Sequence, residues 1–387
     1  MLYLAPNINY NKMVIGIIKE PDFENRISLL PEGVAELKKL NVETWVEKGA
    51  GLKAFAADDQ YEKAGAKIMT RAEILQKAEV LLMINTPEPD VVDSKKENQV
   101  ILSVVNPFFN KEVVEKLAAN SKTVFSLDLI PRTSRAQSMD ILSSMATIAG
   151  YKSVLESAML LPHFFPMFMS AAGTIRPAKL LILGAGVAGL QAIATARKLG
   201  AVVEVFDVRS AVKEEVASLG GKFIEVEGAR EEKSAGGYAV EQTEEFIQKQ
   251  KQLIHDHAVK SNVVICTAQI PGRKAPLLIE KATVEAMKAG SVVVDLAAST
   301  GGNCAVTQNG KTIVHQGVTI VGKSDYPSEM PSDASKMFGN NLLNFLKLLI
   351  EKEGNLKLDF EDDIVKNTCL THEKQLVNER VKAFINA

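Results

Sequence analysis

Gly184-Ala185-Gly186-Val187-Ala188-Gly189 is the stretch of this chain whose residue types and spacing point most directly to chemistry. It follows the apolar run Lys179-Leu183 and opens a helical pattern, Val187 to Leu199, that stops at Gly200. In a strand, turn and helix of this kind, the first glycine permits the tight turn, the second lets backbone approach a pyrophosphate, and the third lets helix and strand pack closely. The free N–H groups and positive dipole end of the helix then form a seat for the phosphates. The next apolar run ends at Asp207, about 20 residues past the central glycine, where an acid meets an adenosine ribose. Asp207 is expected to bind the ribose 2′-hydroxyl and repel a 2′-phosphate, so NAD(H) is favoured over NADP(H), with Arg209 as the counter-signal. The structural alternative is a glycine turn that only joins strand to helix.

A dehydrogenase acting on a hydroxyl or amine must move a proton with the hydride, so it needs a positioned acid or base. The five histidines are His163, His255, His257, His315 and His372, and none is expected at a strand end of the first domain, facing a substrate cleft. Each reads as a surface or packed residue. Hydride transfer between two nicotinamide rings is different: neither ring changes its proton count, and the protein supplies position and field.

The elements that must position these groups form two α/β runs. Short β-branched stretches at Val14-Ile18, Thr44-Val46, Val80-Ile84, Val100-Val105 and Thr123-Leu127 alternate with helical patterns such as Pro31-Leu40. That rhythm signals parallel βαβ units, and it stops near Pro131. A long helix is expected from about Ser134 to Leu161, its start marked by the capping-box form Ser134-Arg135-Ala136-Gln137. Six further strands follow, at Lys179-Leu183, Val202-Phe206, Phe223-Val226, Val263-Cys266, Val292-Asp295 and Thr319-Val321, as a dinucleotide fold requires. A C-terminal helix, roughly Ser332 to Glu351, should return to the first domain. The expected architecture is α/β, two doubly wound parallel-sheet domains of the Rossmann type joined by long helices. One spans 13–133 plus 326–387, and the other, with its linking helix, 134–325.

Composition narrows the partners. At 387 residues the chain is too long for one ordinary core. A net charge of -2, with no basic cluster interleaved with aromatics, argues against nucleic acid. Three cysteines, Cys266, Cys304 and Cys369, show neither a disulfide framework nor metal-ligand spacing, so no metal is expected and a reducing, cytoplasmic setting fits. The one candidate membrane span, Met159 to Gly173, is cut by Pro162, His163 and Pro166. The Met-rich and aromatic part of it, Met159 to Met169, reads as core or dimer surface. Met1 to Lys12 lacks the apolar run of a signal peptide, and the first strand is expected to begin near Met13.

The stretch from Pro131 through Arg132-Thr133-Ser134-Arg135-Ala136-Gln137-Ser138-Met139-Asp140 to Ser144 is long and unusual. Together with Gly184-Leu190, Ala235-Gly236-Gly237-Tyr238-Ala239, Thr267-Gly272, Val294-Ala297 and Gly301-Cys304, it resembles proton-translocating NAD(P) transhydrogenase, specifically its NAD(H)-binding domain I component, the first part of the alpha subunit. The likeness runs from Met13 over nearly the whole chain. It implies a Si/Re-specific transhydrogenase, active only with partner subunits, in which NADH here passes hydride to NADP+ on a separate NADP(H)-binding domain. A membrane domain, also on a separate chain, couples this to proton translocation, which places the protein peripherally on the inner face of the membrane, as a homodimer.

By the same resemblance Arg132, Gln137 and Asp140 hold the nicotinamide end, with Ser143 just beyond. The turn Gly184, Ala185, Gly186, Val187, Ala188 and Gly189, with Asp207, Val208 and Arg209, holds the adenosine side. Gly237 and Tyr238 belong to a loop, Glu227 to Val240, whose length and Gly-Gly hinge suit a lid that closes over the nucleotide. Gln250, Ala268 and Gln269 also fall at nucleotide contacts; the family commonly has Leu at the last, which points to a backbone contact there. The competing structural reading of the long loop is a capping box between Ser134 and Gln137 with an ion pair between Arg132 and Asp140. The other functional readings are an alanine dehydrogenase, which shares Glu20-Pro21-Asp22-Phe23-Glu24-Asn25-Arg26 and its substrate arginine at Arg26, and a non-catalytic NAD(H)-sensing module. The first is disfavoured by Asn85-Thr86-Pro87 and Asn106-Pro107-Phe108, which stand where that enzyme's lysine and histidine are expected.

Overall fold

The computed structural model describes residues 12–226, 243–270 and 272–385. They form two compact units, one containing the residues up to Ser144 and those from Ser328 onward, the other Met145–Pro327. The chain passes between them inside the helix Ile141–Leu160 and inside the turn Tyr326–Glu329.

In the first unit the strands β1 (Val14–Ile17), β2 (Glu43–Glu47), β3 (Lys67–Met69), β4 (Val80–Leu82), β5 (Val100–Ser103) and β6 (Thr123–Ser126) pair in parallel in the order 3-2-1-4-5-6. Strands β4, β5 and β6 are buried along their whole length, as parallel strands covered on both faces must be. Three strands of this unit go beyond the sequence expectation: short β3, and two near the C-terminus introduced below. The helix Pro331–Leu349 belongs to this unit, its Phe338, Leu342, Phe345 and Leu349 fully buried. Phe345 meets Phe125 of β6 edge to face at 5.5 Å.

The second unit starts with a hairpin, β7 (Phe168–Ser170) and β8 (Gly173–Ile175), and then builds β9 (Lys179–Leu183), β10 (Val202–Phe206), β11 (Lys222–Ile224), β12 (Val263–Cys266), β13 (Val292–Asp295), β14 (Lys311–His315) and β15 (Val318–Gly322). The sheet order is β11-β10-β9-β12-β13-β15-β14. Its six parallel members therefore repeat the doubly wound order, with strand order reversing between β9 and β12; the added edge strand β14 runs antiparallel to β15. The remaining strands, β16 (Cys369–His372) and β17 (Gln375–Leu376), return to the first unit, where β16 pairs antiparallel with β6.

The helix expected from Ser134 begins later. Ser134–Met139 is a 3-10 turn with no side-chain cap, and Asp140, in extended backbone, precedes the helix Ile141–Leu160. The reason is a competing cap: the Asp140 carboxylate accepts the Ser143 N–H at 2.9 Å and its hydroxyl at 2.6 Å. A charged acceptor on the third helical N–H is worth about 1 kcal/mol and fixes the start at Ile141. The expected capping box between Ser134 and Gln137 is thus replaced by a cap between Asp140 and Ser143.

Candidate functional site

The turn after β9 is built from backbone that only glycine allows. Gly184 has φ +106°, and a Cβ on Gly189 would lie 1.9 Å from the Gly184 carbonyl oxygen. Around Gly186, by contrast, nothing lies within 4 Å of where a Cβ would be. The first and third glycines thus close the turn, while the second faces open space at the start of the helix Val187–Lys198. That is the space a pyrophosphate needs to reach the helix N–H groups, so the residues present fit a dinucleotide.

Asp207, at the end of β10, is buried and reaches across to this turn, its carboxylate accepting the Ala185 N–H at 2.7 Å. The same carboxylate takes the backbone N–H, Nε and Nη2 of Arg209 at 2.9, 2.9 and 2.7 Å. Val208 between them is half-buried against the sheet core. At the ends of β12 and β13, Gln269 donates its amide to the Leu296 carbonyl at 3.0 Å, and the Ala268 carbonyl accepts from Asn303 at 2.9 Å. Gln250 lies half-buried on the helix Glu244–Ala258 of the same unit. Gly237 and Tyr238, with the loop that carries them, and Pro271 lie outside the described residues.

In the first unit, Arg132, Gln137, Asp140 and Ser143 line one concavity of about 270 Å³ with Pro131, Thr133, Ser134 and Ala136. Arg132 and Gln137 are exposed there, whereas Asp140 is half-buried by its cap on Ser143. Four polar groups of differing type are therefore brought together by one six-residue turn, the residues flanking it and the first turn of the following helix. No histidine lines it: against the sequence expectation His372 does end a strand of this unit, β16, but it bonds Thr123 at 3.0 Å, and in the second unit His255, His257 and His315 bond Thr283, Glu204 and Glu285.

Two supports escaped the sequence reading. Gly150, mid-helix in Ile141–Leu160, lets that helix lie backbone to backbone on the glycine turn: a Cβ there would meet the Ala188 carbonyl oxygen at 2.1 Å. A lone glycine inside a helical pattern was the available signal. Asp295, fully buried at the end of β13, accepts the N–H groups of Ala297, Asn303 and Cys304 and the Thr307 hydroxyl. Burial pushes its carboxyl above the usual carboxylate range. This knot explains why Val294-Ala297 and Gly301-Cys304 belong together, since one carboxylate organises both. All three cysteines are buried and free. Among the described residues there is no grouping of three or more metal-capable side chains, and no helix long and apolar enough to cross a membrane.

Comparison with known proteins agrees with this geometry. The family description "Alanine dehydrogenase/PNT, C-terminal domain" matches residues 153–379, and its N-terminal counterpart matches residues 16–149. The chain belongs to the alanine dehydrogenase/PNT family. Within that family it is 45% identical over 376 residues to the first part of the NAD(P) transhydrogenase alpha subunit of Rhodospirillum rubrum, covering 95% of this chain and 98% of that one. A solved structure of the transhydrogenase from Sinorhizobium meliloti superposes with TM-score 0.86 at 42% identity, over 94% of this chain and 100% of that one. The alanine dehydrogenase of Mycolicibacterium smegmatis is 24% identical over 379 residues, covering 95% of this chain and 96% of that one. The family resemblance read from the motifs and the two doubly wound sheets both hold.

Proposed function

We propose that this member of the alanine dehydrogenase/PNT family is the NAD(H)-binding component of a proton-translocating transhydrogenase. NADH supplies the hydride, and NADP+ on a separate NADP(H)-binding domain receives it, with Si/Re stereospecificity and coupling to proton movement through a membrane domain on another chain. The observation that carries the reading is the concavity of Arg132, Gln137, Asp140 and Ser143, which offers hydrogen bonds and charge for orienting a carboxamide-bearing ring and no histidine to move a proton. The relative from R. rubrum, named as one portion of an alpha subunit, supports a chain that works with others.

In this reading the turn 184–189 seats the pyrophosphate and Asp207 selects the ribose. Arg132, Gln137 and Asp140 set the nicotinamide conformation, Ser143 holding Asp140 in place, and Tyr238 closes the site. The protein's contribution is orientation, which is where most of the barrier reduction lies when no proton is transferred. The protein is placed peripherally on the inner face of the membrane through its partners, and as a homodimer.

Alanine oxidation gains no support. Arg26, which carries the likeness to that enzyme, is held by Glu24 at 2.6 Å, and Asn85 at the end of the β4 segment bonds both Glu20 and Glu24. The test is stopped-flow hydride transfer from NADH to NADP+ in a mixture of this protein with a purified NADP(H)-binding domain from a transhydrogenase, beside an alanine and NAD+ control. Rapid transfer only with the partner, slowed at least tenfold (about 1.4 kcal/mol) by Gln137→Asn, is expected. Alanine turnover without a partner would overturn the reading, and NADH binding with neither reaction would leave a nucleotide-sensing module.

A further inference from the structure

The loop from Arg132 to Asp140 contains a 3-10 turn, Ser134–Met139, which carries Gln137 and is longer than such turns usually run. Its Ser138 carbonyl, between Gln137 and Asp140, is one of the acceptors that the end of a short helix leaves without an internal partner. Two side chains of the helix Pro331–Leu349 supply it: Asn341 donates its Nδ2 to Ser138 O at 2.8 Å, and Asn344 donates to the same oxygen at 3.1 Å. The other end of the Asn341 amide is also used, its Oδ1 accepting the Ser144 hydroxyl at 2.6 Å. One nearly buried amide therefore ties the chain on both sides of the Asp140–Ser143 cap. Asn341 is itself immobilised, because the neighbouring Leu342 and Phe345 are fully buried and Phe345 packs on Phe125 of β6.

We propose that Asn341 is a positioning residue for hydride transfer, which fixes the Gln137–Asp140 turn by bridging the Ser138 carbonyl and the Ser144 hydroxyl, with Asn344 as an auxiliary. The proposal rests on the transhydrogenase reading above. Asn341 touches no reacting atom; it acts through the turn. It gives the C-terminal helix a task that packing alone does not require, since an apolar residue would fill the same volume. A displacement of about 1 Å at a reacting group costs as much as 100-fold in rate, whereas affinity is shared among many contacts elsewhere on the nucleotide. Loss of the bridge should therefore lower the rate of hydride transfer much more than NADH affinity.

The experiment uses the full chain with a transhydrogenase NADP(H)-binding domain and measures single-turnover transfer, NADH dissociation constant and thermal unfolding for wild type, Asn341→Leu, Asn344→Ala and Ser144→Ala. Expected for Asn341→Leu is a fall of about tenfold or more in transfer rate with NADH affinity within about threefold of wild type. Wild-type transfer in that variant overturns the proposal, and so does an equal loss of rate and affinity, which is the mark of general loosening. If Asn341→Leu does not fold, Ser144→Ala decides: it removes the Oδ1 side of the bridge and should slow transfer with NADH affinity kept, an unchanged rate overturning the proposal, while Asn344→Ala, which removes only the auxiliary bond to Ser138, should have the smaller effect. Absence of transfer by the wild-type protein overturns the functional reading itself, and this proposal with it; transfer by wild type with no effect of the variants overturns this proposal alone.

Discussion

The carboxylate of Asp207 lies 2.7 Å from the backbone nitrogen of Ala185, so the acid at the end of one strand is a structural part of the glycine turn after its neighbour. The same carboxylate chelates Arg209, an arginine that could otherwise meet a 2′-phosphate if the ribose lies beside Asp207 as proposed. Asp207→Ala should act twice. NADH affinity should fall about 10- to 100-fold, as expected for loss of one or two charge-assisted hydrogen bonds. The released Arg209 should at the same time strengthen NADPH binding, narrowing the preference between the two nucleotides. Titration calorimetry with both nucleotides checks this, and an unchanged ratio of affinities would show that Arg209 plays no part in selection.

The three glycines that cradle the turn should separate cleanly under substitution. Gly186→Ala adds a methyl where nothing lies within 4 Å, so the thermal midpoint should hardly move while NADH affinity drops sharply. Gly189→Ala and Gly150→Ala place a methyl 1.9 and 2.1 Å from the carbonyl oxygens of Gly184 and Ala188, so backbone must shift. Overpacking of that kind costs about 1–3 kcal/mol or more. Differential scanning calorimetry with and without NADH distinguishes the two classes, and a Gly186→Ala protein as unstable as Gly189→Ala would refute the assignment of open space to the phosphate.

How much of this was legible in the sequence follows from the range of the interactions. The apolar runs of β9, β10, β12 and β13 are largely buried, so their apolar character alone disclosed them, and the glycine spacing disclosed the turn. Strand β16 was missed because Cys369-Leu370-Thr371-His372 is stabilised by pairing with β6, far earlier in the chain, and has no local alternation to betray it. The start of the long helix was misplaced because two overlapping cap patterns compete there, and only the geometry shows that the charged one at Asp140 prevails. The Asn341 bridge was invisible for the same reason as β16: an asparagine in an amphipathic helix that also holds Asn340 and Asn344 reads as solvent-facing until its distant acceptor is known.

Stability of the first unit should depend on pH through Glu20. This side chain is buried after β1 and accepts the N–H groups of Ile84 and Asn85 and the Asn85 amide; burial pushes its carboxyl up from 4.5 to about 7. A carboxyl raised on folding binds its proton more tightly in the folded than in the unfolded state, so its contribution is complete below pH 4.5 and is lost as pH rises through 7. The amount is of the order of 3 kcal/mol. Neighbouring Glu24 behaves oppositely: burial would raise it, but the hydrogen bond and charge of Arg26 outweigh this and hold it at about 2, so its contribution is lost only as pH falls from 4.5 to about 2. Between about pH 5 and 8, Glu20→Gln should flatten the decline in urea midpoint and leave the protein more stable than wild type at the upper end. Parallel curves for the two proteins would remove Glu20 as the cause.

The hairpin β7–β8 should hold two copies of the chain together. Its base is anchored in the second unit: Leu161 and Phe165 are buried in the core, and the Phe165 carbonyl accepts the Ala178 N–H at 3.0 Å. Beyond that base every residue of both strands is exposed; Phe168 and its cross-strand partner Ile175 share one face, with the rings of Phe164 and Phe168 stacked at 4.8 Å, and Met159, Met167 and Met169 are exposed as well. Two strands alone are marginal in water, and so many exposed large apolar side chains in one short segment point to an association site. The stretch Met159 to Met169 is thus divided: Leu161 and Phe165 are core, and the exposed Met159, Phe164, Met167, Phe168 and Met169 are the part available to a dimer contact. Sedimentation velocity should give a dimer for the wild-type protein and a monomer for the double variant Phe168→Asp, Met169→Asp. NADH affinity should be preserved, since the turn 184–189 is held by Asp207 and Gly150 independently of the hairpin. A wild-type monomer at micromolar concentration, or a variant that remains dimeric, would assign the apolar hairpin to some other partner.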